Sequence, residues 1–279
     1  MPSLLSLVLA VHPPSAPPTD RPQPRWLGRA AHALLLKIIQ ENDRALAERL
    51  HAESDLRPFT ASSLWQMRTG AAEAAGFPRD AAFLRFTAFH QAPAQILAEA
   101  VQPAGSLAPG KTVELDFIPF QILKTYTQPQ EHGWAAQSDY AELSAPYLLA
   151  KHNPPRRIRL QLASPTAFKS GGKHIPLPLP ELVFGSLLEK WNAFAPVALP
   201  DETRRYAAEC LTITQHRLRS ELVYLKEGST RSGTQGEVTF TSLNYDRYWM
   251  SLIHTLAKFA LFSGVGISAS MGMGQVREG

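Results

Sequence analysis

The sequence predicts an α+β fold made of two tandem ferredoxin-like, or RRM-like, domains. Strand and helix patterns follow one another in the order β-α-β-β-α-β, and this order occurs twice along the 279 residues. The proline-containing segment at 151–155 separates the two sets and has the composition of a linker. We therefore expect domains at 1–150 and 151–279. In this fold the helices cover one face of each antiparallel sheet.

The first half begins with an apolar strand pattern at 4–11 and continues with apolar residues at helical spacing over 26–40. Asn42 or Asp43 is expected to cap a second, short helix that ends at Leu50. The other elements of this half are two strands, a helix and a β-rich segment, at 59–64, 82–90, 92–101 and 112–125.

The second half begins with a strand at 156–163, in which Ile158, Leu160 and Leu162 alternate with polar residues. Such alternation is typical of a half-buried strand. Pro180 is placed to start a helix that ends near 194, because proline is favoured at the first helical position. The remaining elements are two strands, a helix and a closing strand, at 211–224, 236–243, 245–262 and 274–277.

Composition excludes several classes of protein. The single cysteine, Cys210, rules out an internal disulfide and a cysteine-rich zinc site, and it fits a reducing cytoplasm. The nine histidines show no metal-ligand spacing, so we expect neither a metal nor another cofactor. The apolar run at 249–273 is interrupted by polar and charged residues, and the run at 4–11 lacks the features of a signal peptide. We therefore expect no membrane association.

Positive charge is concentrated in the second half of the chain. Residues 1–150 contain 12 Lys and Arg against 14 Asp and Glu, whereas residues 151–279 contain 16 against 10. A basic half suits an anionic partner, and nucleic acid is the first to consider. Chemistry on RNA that uses no metal leaves one economical route, in which a ribose 2′-hydroxyl attacks its own phosphodiester.

Three residues of the first half are candidates for catalysis. His51 follows a short helix whose negative end favours imidazolium, which suits a general acid that protonates a leaving 5′-oxygen. Arg57 lies six residues later and can hold a phosphate oxygen. His32 lies one helix earlier among apolar neighbours and is the second histidine candidate. The alternatives are that His51 is an ordinary surface histidine at a helix end and that His32 belongs to an apolar helix face.

Basic residues of the second half are candidates for binding RNA. Lys169 and Lys173 flank a Ser-Gly-Gly turn and can grip phosphates, or they can form a solvated hairpin. Arg156, Arg157 and Arg159 are expected either to line an RNA groove or to face water.

The C-terminal segment contains two Gly-x-Gly pairs, formed by Gly264, Gly266, Gly272 and Gly274. Glycine lets another backbone approach closely, which can be an RNA backbone or the protein itself. The segment follows a helix and precedes a strand. It therefore lacks the order of strand, glycine loop and helix that binds nucleotide phosphates at a helix N-terminus. Both RNA binding and close packing remain open for these glycines.

Several of these motifs together resemble the CRISPR repeat-processing endoribonucleases of the repeat-associated (RAMP) superfamily. The resemblance covers nearly the whole chain. It is carried by the following motifs: Ser-Pro-Thr-Ala-Phe at 164–168 with Gly171-Gly172, Leu-Pro-Leu-Pro at 177–180, Gly-Glu-Val-Thr-Phe at 236–240, the terminal glycines, and His51 followed by Arg-Pro-Phe-Thr-Ala-Ser at 57–62.

The resemblance implies a metal-independent cut within the repeats of precursor CRISPR RNA, leaving a 2′,3′-cyclic phosphate and a 5′-hydroxyl. It gives His51 the acid/base role and places Arg57 where some relatives have lysine. Some relatives have a tyrosine on the first helix, where this chain has leucines at 34–36. Either His32 takes the place of that tyrosine, or the site relies only on His51 and on positioning of the RNA. The alternative is a non-catalytic CRISPR RNA-binding subunit. Association with effector-complex subunits and homodimerisation both stay open.

Overall fold

The computed structural model describes residues 2–13, 26–52, 56–66, 72, 74–149, 151–226 and 229–279, and only the backbone at residues 51, 52, 225 and 226. The chain forms two compact units. Unit 1 comprises Met1–Gln137 together with Ser270–Gly272, and unit 2 comprises Ser138–Ala269 together with Met273–Gly279.

Unit 1 follows the predicted order of elements and adds short strands. Its strands and helices are β1 (Leu4–His12), α1 (Gly28–Asn42), α2 (Arg44–Ala52), β2 (Phe59–Ala61), β3 (Trp65–Gln66), β4 (Ala82–Ala88), α3 (Gln91–Ala100), β5 (Thr112–Leu115), β6 (Ile118–Tyr126) and β7 (Ala136–Ser138). The sheet order is β2-β4-β1-β6-β5, with β3 paired to β4 and β7 paired to β1.

Strand β1 is central to this sheet and is buried on both faces. It pairs antiparallel with β4, where Leu7 faces Phe86, and with β6. Leu7 belongs to the core beneath the helices, whereas Val8 points to a second cluster on the opposite face that includes Tyr126. Trp134 packs against that second cluster. The continuous apolar run in β1 follows from this double coverage, because a strand covered on one side only would alternate.

Unit 2 contains the second β-α-β-β-α-β set. Its elements are α4 (Tyr140–Leu148), β8 (Arg157–Thr166), β9 (Phe168–Ser170), β10 (Lys173–Ile175), α5 (Pro180–Phe194), α6 (Glu202–Cys210), β11 (Leu211–Lys226), β12 (Ser229–Ser242), α7 (Arg247–Ser263), a 3₁₀ turn (Ala269–Met271) and β13 (Val276–Glu278). The main sheet has the antiparallel order β11-β12-β8-β13, and β9 forms a separate hairpin with β10.

Helices α5 and α7 cover one face of this sheet. Phe184 of α5 packs edge-on to Phe240 of β12, with ring centroids 5.5 Å apart. Trp191 of α5 contacts Phe259 of α7 at 5.2 Å. Helix α7 begins at the cap residue Asp246, whose carboxylate accepts a hydrogen bond from the Trp249 amide at 3.0 Å. Both units therefore have the ferredoxin-like arrangement that the sequence predicts.

Two helices of unit 2 are absent from the sequence prediction. Helix α6 is rich in charged residues and buries only Thr203, Tyr206 and Ala207, so it lacks the large apolar residues that indicate a core-facing helix. Helix α4 contains Pro146 and lies before the expected boundary at 150/151, yet it belongs to unit 2. Its residue Tyr140 packs edge-on to Trp191 at 4.9 Å, which ties α4 to the second core. Within the described part of the chain, no helix is long and apolar enough to cross a membrane.

Candidate active site

The N-terminal end of α1 is fixed by the C-terminal residues that belong to unit 1. The Trp26 indole Nε1 donates a hydrogen bond of 2.9 Å to the Met271 carbonyl oxygen. A Cβ atom on Gly28 would lie 2.0 Å from the same oxygen, so only glycine allows this approach. Ser62 and Gly272 form an isolated parallel bridge beside it. These contacts hold residues 270–272 against the helix that carries His32.

His32 lies on α1 at the border between the buried and exposed sides. Its neighbours Ala31 and Leu35 are fully buried, whereas the His32 ring is half-buried and lies 5.6 Å from the Phe59 ring. His32 thus borders the apolar face of the helix, and its catalytic role stays a prediction. The ring contacts apolar neighbours, and both of its nitrogen atoms have polar partners.

Two hydrogen bonds define the protonation pattern of the His32 imidazole. Its Nδ1 lies 3.1 Å from the carbonyl oxygen of Ser270, which can only accept, so Nδ1 carries the hydrogen. Its Nε2 lies 2.9 Å from Nη1 of Arg57, which can only donate, so Nε2 presents its lone pair. This is the neutral tautomer in which Nε2 can accept a proton. The arrangement fits a general base.

Arg57 provides the positive charge of the site. Burial lowers the pKa of Arg57, but an arginine remains a cation at neutral pH. Its Nε is buried and has no hydrogen-bond partner among the described residues. A buried donor without a partner is costly, and an anionic oxygen would satisfy it. The guanidinium therefore has unused capacity to bind a phosphate next to His32.

The His51 side chain lies outside the described residues, so its position relative to His32 and Arg57 is not described. Helix α2 extends two residues beyond the predicted end at Leu50, so the backbone of residue 51 lies in its last turn and not after it. Helix α2 spans Arg44–Ala52, and the Asp43 carboxylate accepts a hydrogen bond of 2.9 Å from the Leu46 amide at its start. The acid role of His51 therefore stays a prediction. The pair that the structure does bring together is His32 and Arg57.

The glycines of the C-terminal segment face protein atoms. A Cβ on Gly266 would lie 2.2 Å from the Ala167 carbonyl oxygen, and one on Gly274 would lie 2.0 Å from the Val265 oxygen. On Gly272 it would lie 2.7 Å from the Trp26 ring. Each also has a positive φ, as does Gly264 at the end of α7. This geometry supports the close-packing interpretation rather than approach of an RNA backbone.

Replacing Gly266 with alanine is therefore expected to destabilise the protein more than it weakens RNA binding. Gly171→Ala is the matched control, because Gly171 also has a positive φ but nothing lies within 4 Å of its Cβ position. Overpacking should cost Gly266→Ala about 1–3 kcal/mol more than the control in urea denaturation. Unchanged stability together with weaker binding of repeat RNA would instead support RNA approach at Gly266.

A buried lysine holds the start of the glycine segment. The Lys190 ammonium donates hydrogen bonds of 3.0 Å to the carbonyl oxygens of Ser263 and Gly264, at the C-terminal end of α7. Cations are favoured at this end of a helix. Burial nevertheless lowers the pKa of Lys190 to about 7, and the nearby Glu189 carboxylate opposes this shift. Lys190 therefore connects α5 to the point where the glycine segment begins.

The lowered pKa predicts a dependence of stability on pH. Between about pH 7 and 10, the unfolded chain keeps a proton on Lys190 that the folded chain has released, so folding becomes more favourable as pH rises. In Lys190→Met this contribution is absent. The stability of the wild type relative to Lys190→Met should rise above pH 7 by up to about 1.4 kcal/mol per pH unit. Urea denaturation from pH 6 to 9 measures this, with Lys37→Met as the exposed control. Parallel stability curves for wild type and Lys190→Met would contradict it.

The predicted RNA-binding residues of unit 2 occupy two exposed places. Lys169 and Lys173 are exposed on the β9–β10 hairpin, in which Ile175 pairs with the buried Phe168. Arg156 lies over the Tyr245 ring, with its guanidinium carbon 4.9 Å from the ring centroid. Arg157 and Arg159 are exposed on β8. Within the described ranges, no group of three or more His, Cys, Asp and Glu residues is placed to hold a metal ion.

Comparison with known protein families shows which family the chain belongs to. The family described as "CRISPR Cas6 N-terminal domain" matches residues 1–87, and the family described as "CRISPR-associated endoribonuclease Cas6" matches residues 160–276. The chain belongs to the Cas6 family. The resemblance read from the sequence motifs is thereby confirmed, and both matched segments contain residues discussed above.

Individual relatives agree with this assignment. A CRISPR-associated endoribonuclease Cas6 of Mycobacterium tuberculosis is 36% identical over 124 residues, which are 44% of this chain and 38% of that protein. The Streptococcus thermophilus Cas6 is 30% identical over 117 residues, 41% of this chain and 47% of that protein. The matched segments thus span less than half of each relative. A solved Cas6 product complex has a TM-score of 0.78 at 23% identity, covering 99% of this chain and 98% of that one, which confirms the fold.

The sequence analysis missed the partner that orients His32. The Ser270 carbonyl is a backbone group 238 residues away, so no side-chain motif indicates it. Trp26 was also missed, because an aromatic residue before a helix ordinarily indicates only packing.

Proposed function

We propose that this chain is an endoribonuclease that cuts precursor CRISPR RNA within its repeats without a metal ion. The observation that supports this most is the contact between His32 Nε2 and Arg57, with His32 Nδ1 fixed by the Ser270 carbonyl. A lone pair and a cation side by side are the two groups that an attack by a 2′-hydroxyl needs.

In the proposed reaction, RNA displaces Arg57 from His32, and the guanidinium moves to the oxygens of the scissile phosphate. His32 Nε2 takes the proton of the upstream ribose 2′-hydroxyl. The bond between that 2′-oxygen and phosphorus forms while the bond from phosphorus to the 5′-oxygen breaks. The 5′-oxygen takes a proton, for which His51 is the candidate donor. The products are a 2′,3′-cyclic phosphate and a 5′-hydroxyl.

Cleavage of repeat RNA in EDTA tests this mechanism. We expect the same rate in EDTA as in magnesium, since the nucleophile is part of the RNA and proton transfer uses histidine. The upstream product should not be extended at its 3′ end by a polymerase, because the cyclic phosphate blocks that end. A phosphatase that removes cyclic phosphates should make the end extendable. Loss of cleavage in EDTA that magnesium restores would contradict the mechanism. Tight binding of intact RNA without any cleavage would instead identify a non-catalytic RNA-binding subunit.

A further inference from the structure

The indole of Trp26, just before helix α1, packs against two glycines. A Cβ atom on Gly28 would lie 2.7 Å from the indole Nε1, and one on Gly272 would lie 2.7 Å from the ring atom Cζ2. Both distances are shorter than real contacts of a Cβ atom, so only glycine leaves room for the half-buried ring at these positions. The indole is therefore held tightly against the backbone at both glycines.

The indole also fixes the carbonyl group next to the one that orients His32. Trp26 Nε1 donates a hydrogen bond of 2.9 Å to the Met271 oxygen, and His32 Nδ1 lies 3.1 Å from the Ser270 oxygen. Because peptide units are planar, only φ and ψ of Met271 separate these two carbonyl groups. A hydrogen bond that holds the Met271 oxygen thus restricts the direction in which the Ser270 oxygen points.

Other contacts within unit 1 hold the chain on both sides of this hydrogen bond. The Leu27 amide donates to the Ser63 hydroxyl at 2.9 Å, which fixes the residue that follows Trp26. Gly272 forms its parallel bridge with Ser62. The indole N–H therefore connects two backbone segments that are themselves held in place, which are the start of α1 and residues 270–272.

The direction of the Ser270 oxygen matters most when RNA is bound. In the free protein, Arg57 donates to His32 Nε2 at 2.9 Å, so both nitrogens of the imidazole have partners. In the proposed reaction Arg57 moves to the scissile phosphate, and the Ser270 carbonyl then keeps the hydrogen on Nδ1. A neutral imidazole without an acceptor at Nδ1 can carry its hydrogen on either nitrogen. A hydrogen on Nε2 would remove the lone pair that takes the 2′-hydroxyl proton.

We propose that Trp26 is a positioning residue for the cleavage reaction. Through the Met271 and Ser270 carbonyl groups, it keeps His32 in the tautomer whose lone pair lies on Nε2. The indole takes no part in proton transfer, since its N–H is a donor only and is bonded to Met271. The inference rests on the proposed function, because it takes His32 to be the general base. A purely structural role for Trp26 would lower stability and leave the tautomer unchanged.

Two variants remove the indole donor with little change of shape. Trp26→Phe keeps an aromatic ring beside the glycines. A tryptophan analogue at residue 26 with sulfur in place of the ring N–H keeps the full size of the ring, and it decides the test if Trp26→Phe does not fold. Trp191→Phe is the matched control, because the Trp191 indole also donates to a backbone oxygen, that of Val197 at 3.0 Å, but in unit 2. Urea denaturation establishes that each protein is folded.

The tautomer is measured by ¹⁵N NMR of protein labelled in its histidine side chains, at a pH where His32 is neutral. The His32 signals are those that His32→Ala removes. The background is Arg57→Ala, because Arg57 would otherwise also fix the tautomer. In this background Nδ1 should carry the hydrogen, and in the Trp26 variants the shifts of Nδ1 and Nε2 should move towards each other as the tautomers mix. Unchanged shifts in the Trp26 variants, or equal changes in the Trp191→Phe control, would overturn the proposal.

Cleavage is the second readout and is measured with Arg57 intact. The Trp26 variants should cut saturating repeat RNA about two- to tenfold more slowly, the effect of losing about one net hydrogen bond, with unchanged affinity for RNA. The control should cut at the wild-type rate, and a wild-type rate in the Trp26 variants would also overturn the proposal. If no protein cut the RNA while the tautomer still depended on Trp26, the proposed function would fail and the control of the His32 tautomer by Trp26 would stand.

Discussion

Replacing His32 with alanine is expected to lower the cleavage rate of saturating repeat RNA by about 10² to 10⁴. The lone pair of His32 Nε2, 2.9 Å from Arg57, is the proposed acceptor of the 2′-hydroxyl proton. Affinity for RNA should change little, because a proton acceptor contributes to the cleavage rate and not to the binding of phosphates. Single-turnover cleavage with excess enzyme measures the rate, and a filter-binding titration measures the affinity.

The exposed His152 provides the control for this experiment, since His152→Ala removes an imidazole elsewhere in the chain. Wild-type cleavage by His32→Ala would remove His32 from the site. His51→Ala should be compared in the same assay. The sequence ranks His51 first, and the structure describes the side chain of His32 but not that of His51. A larger loss from His51→Ala than from His32→Ala would support the ranking that the sequence predicts.

Replacing Arg57 with alanine is expected to slow cleavage by about 10² to 10³, the usual cost of losing one donor to a developing oxyanion. Arg57→Lys should recover part of this rate, because lysine keeps the charge but lacks the planar fork. Rates at saturating RNA separate this effect from weaker binding. Arg205→Ala is the control, since Arg205 is exposed and pairs at 3.7 Å with Glu209 on its own helix.

A second consequence of losing Arg57 distinguishes a catalytic role from a structural one. Because Arg57 occupies His32 Nε2 in the absence of RNA, its removal exposes that nitrogen to solvent and should shift the pH profile of the remaining cleavage. A slower rate with an unchanged profile would indicate that Arg57 binds RNA without influencing His32. Equal rates in wild type, Arg57→Ala and Arg57→Lys would exclude Arg57 from the site.

The fold could be predicted from the sequence because its main elements bury residues at regular spacing. Helix α5 occupies Pro180–Phe194, as its starting proline and apolar pattern indicate. Strand β12 begins at Ser229, well before the predicted 236, because its first four residues are exposed or half-buried and show no apolar pattern. Hydrophobic periodicity in a sequence reflects burial. A strand or helix that buries few side chains is therefore predicted too short or is missed altogether.

The site was only partly predictable for a different reason. Residue type alone identified His32 and Arg57 as capable of acid/base and charge chemistry. The orientation of the His32 ring depends on a backbone carbonyl 238 residues away, which no residue type reveals.

The place of residues 270–272 within unit 1 has a consequence for synthesis of the protein on the ribosome. Translation is vectorial, so His32 and Arg57 emerge long before Ser270 does. Until then the imidazole has no carbonyl to fix its tautomer, and α1 lacks the Met271 oxygen that holds its start. A nascent chain that ends before residue 270 thus carries His32 and Arg57 without the Ser270 oxygen that orients the imidazole. The arrangement around His32 therefore forms only after residues 270–272 have been synthesised.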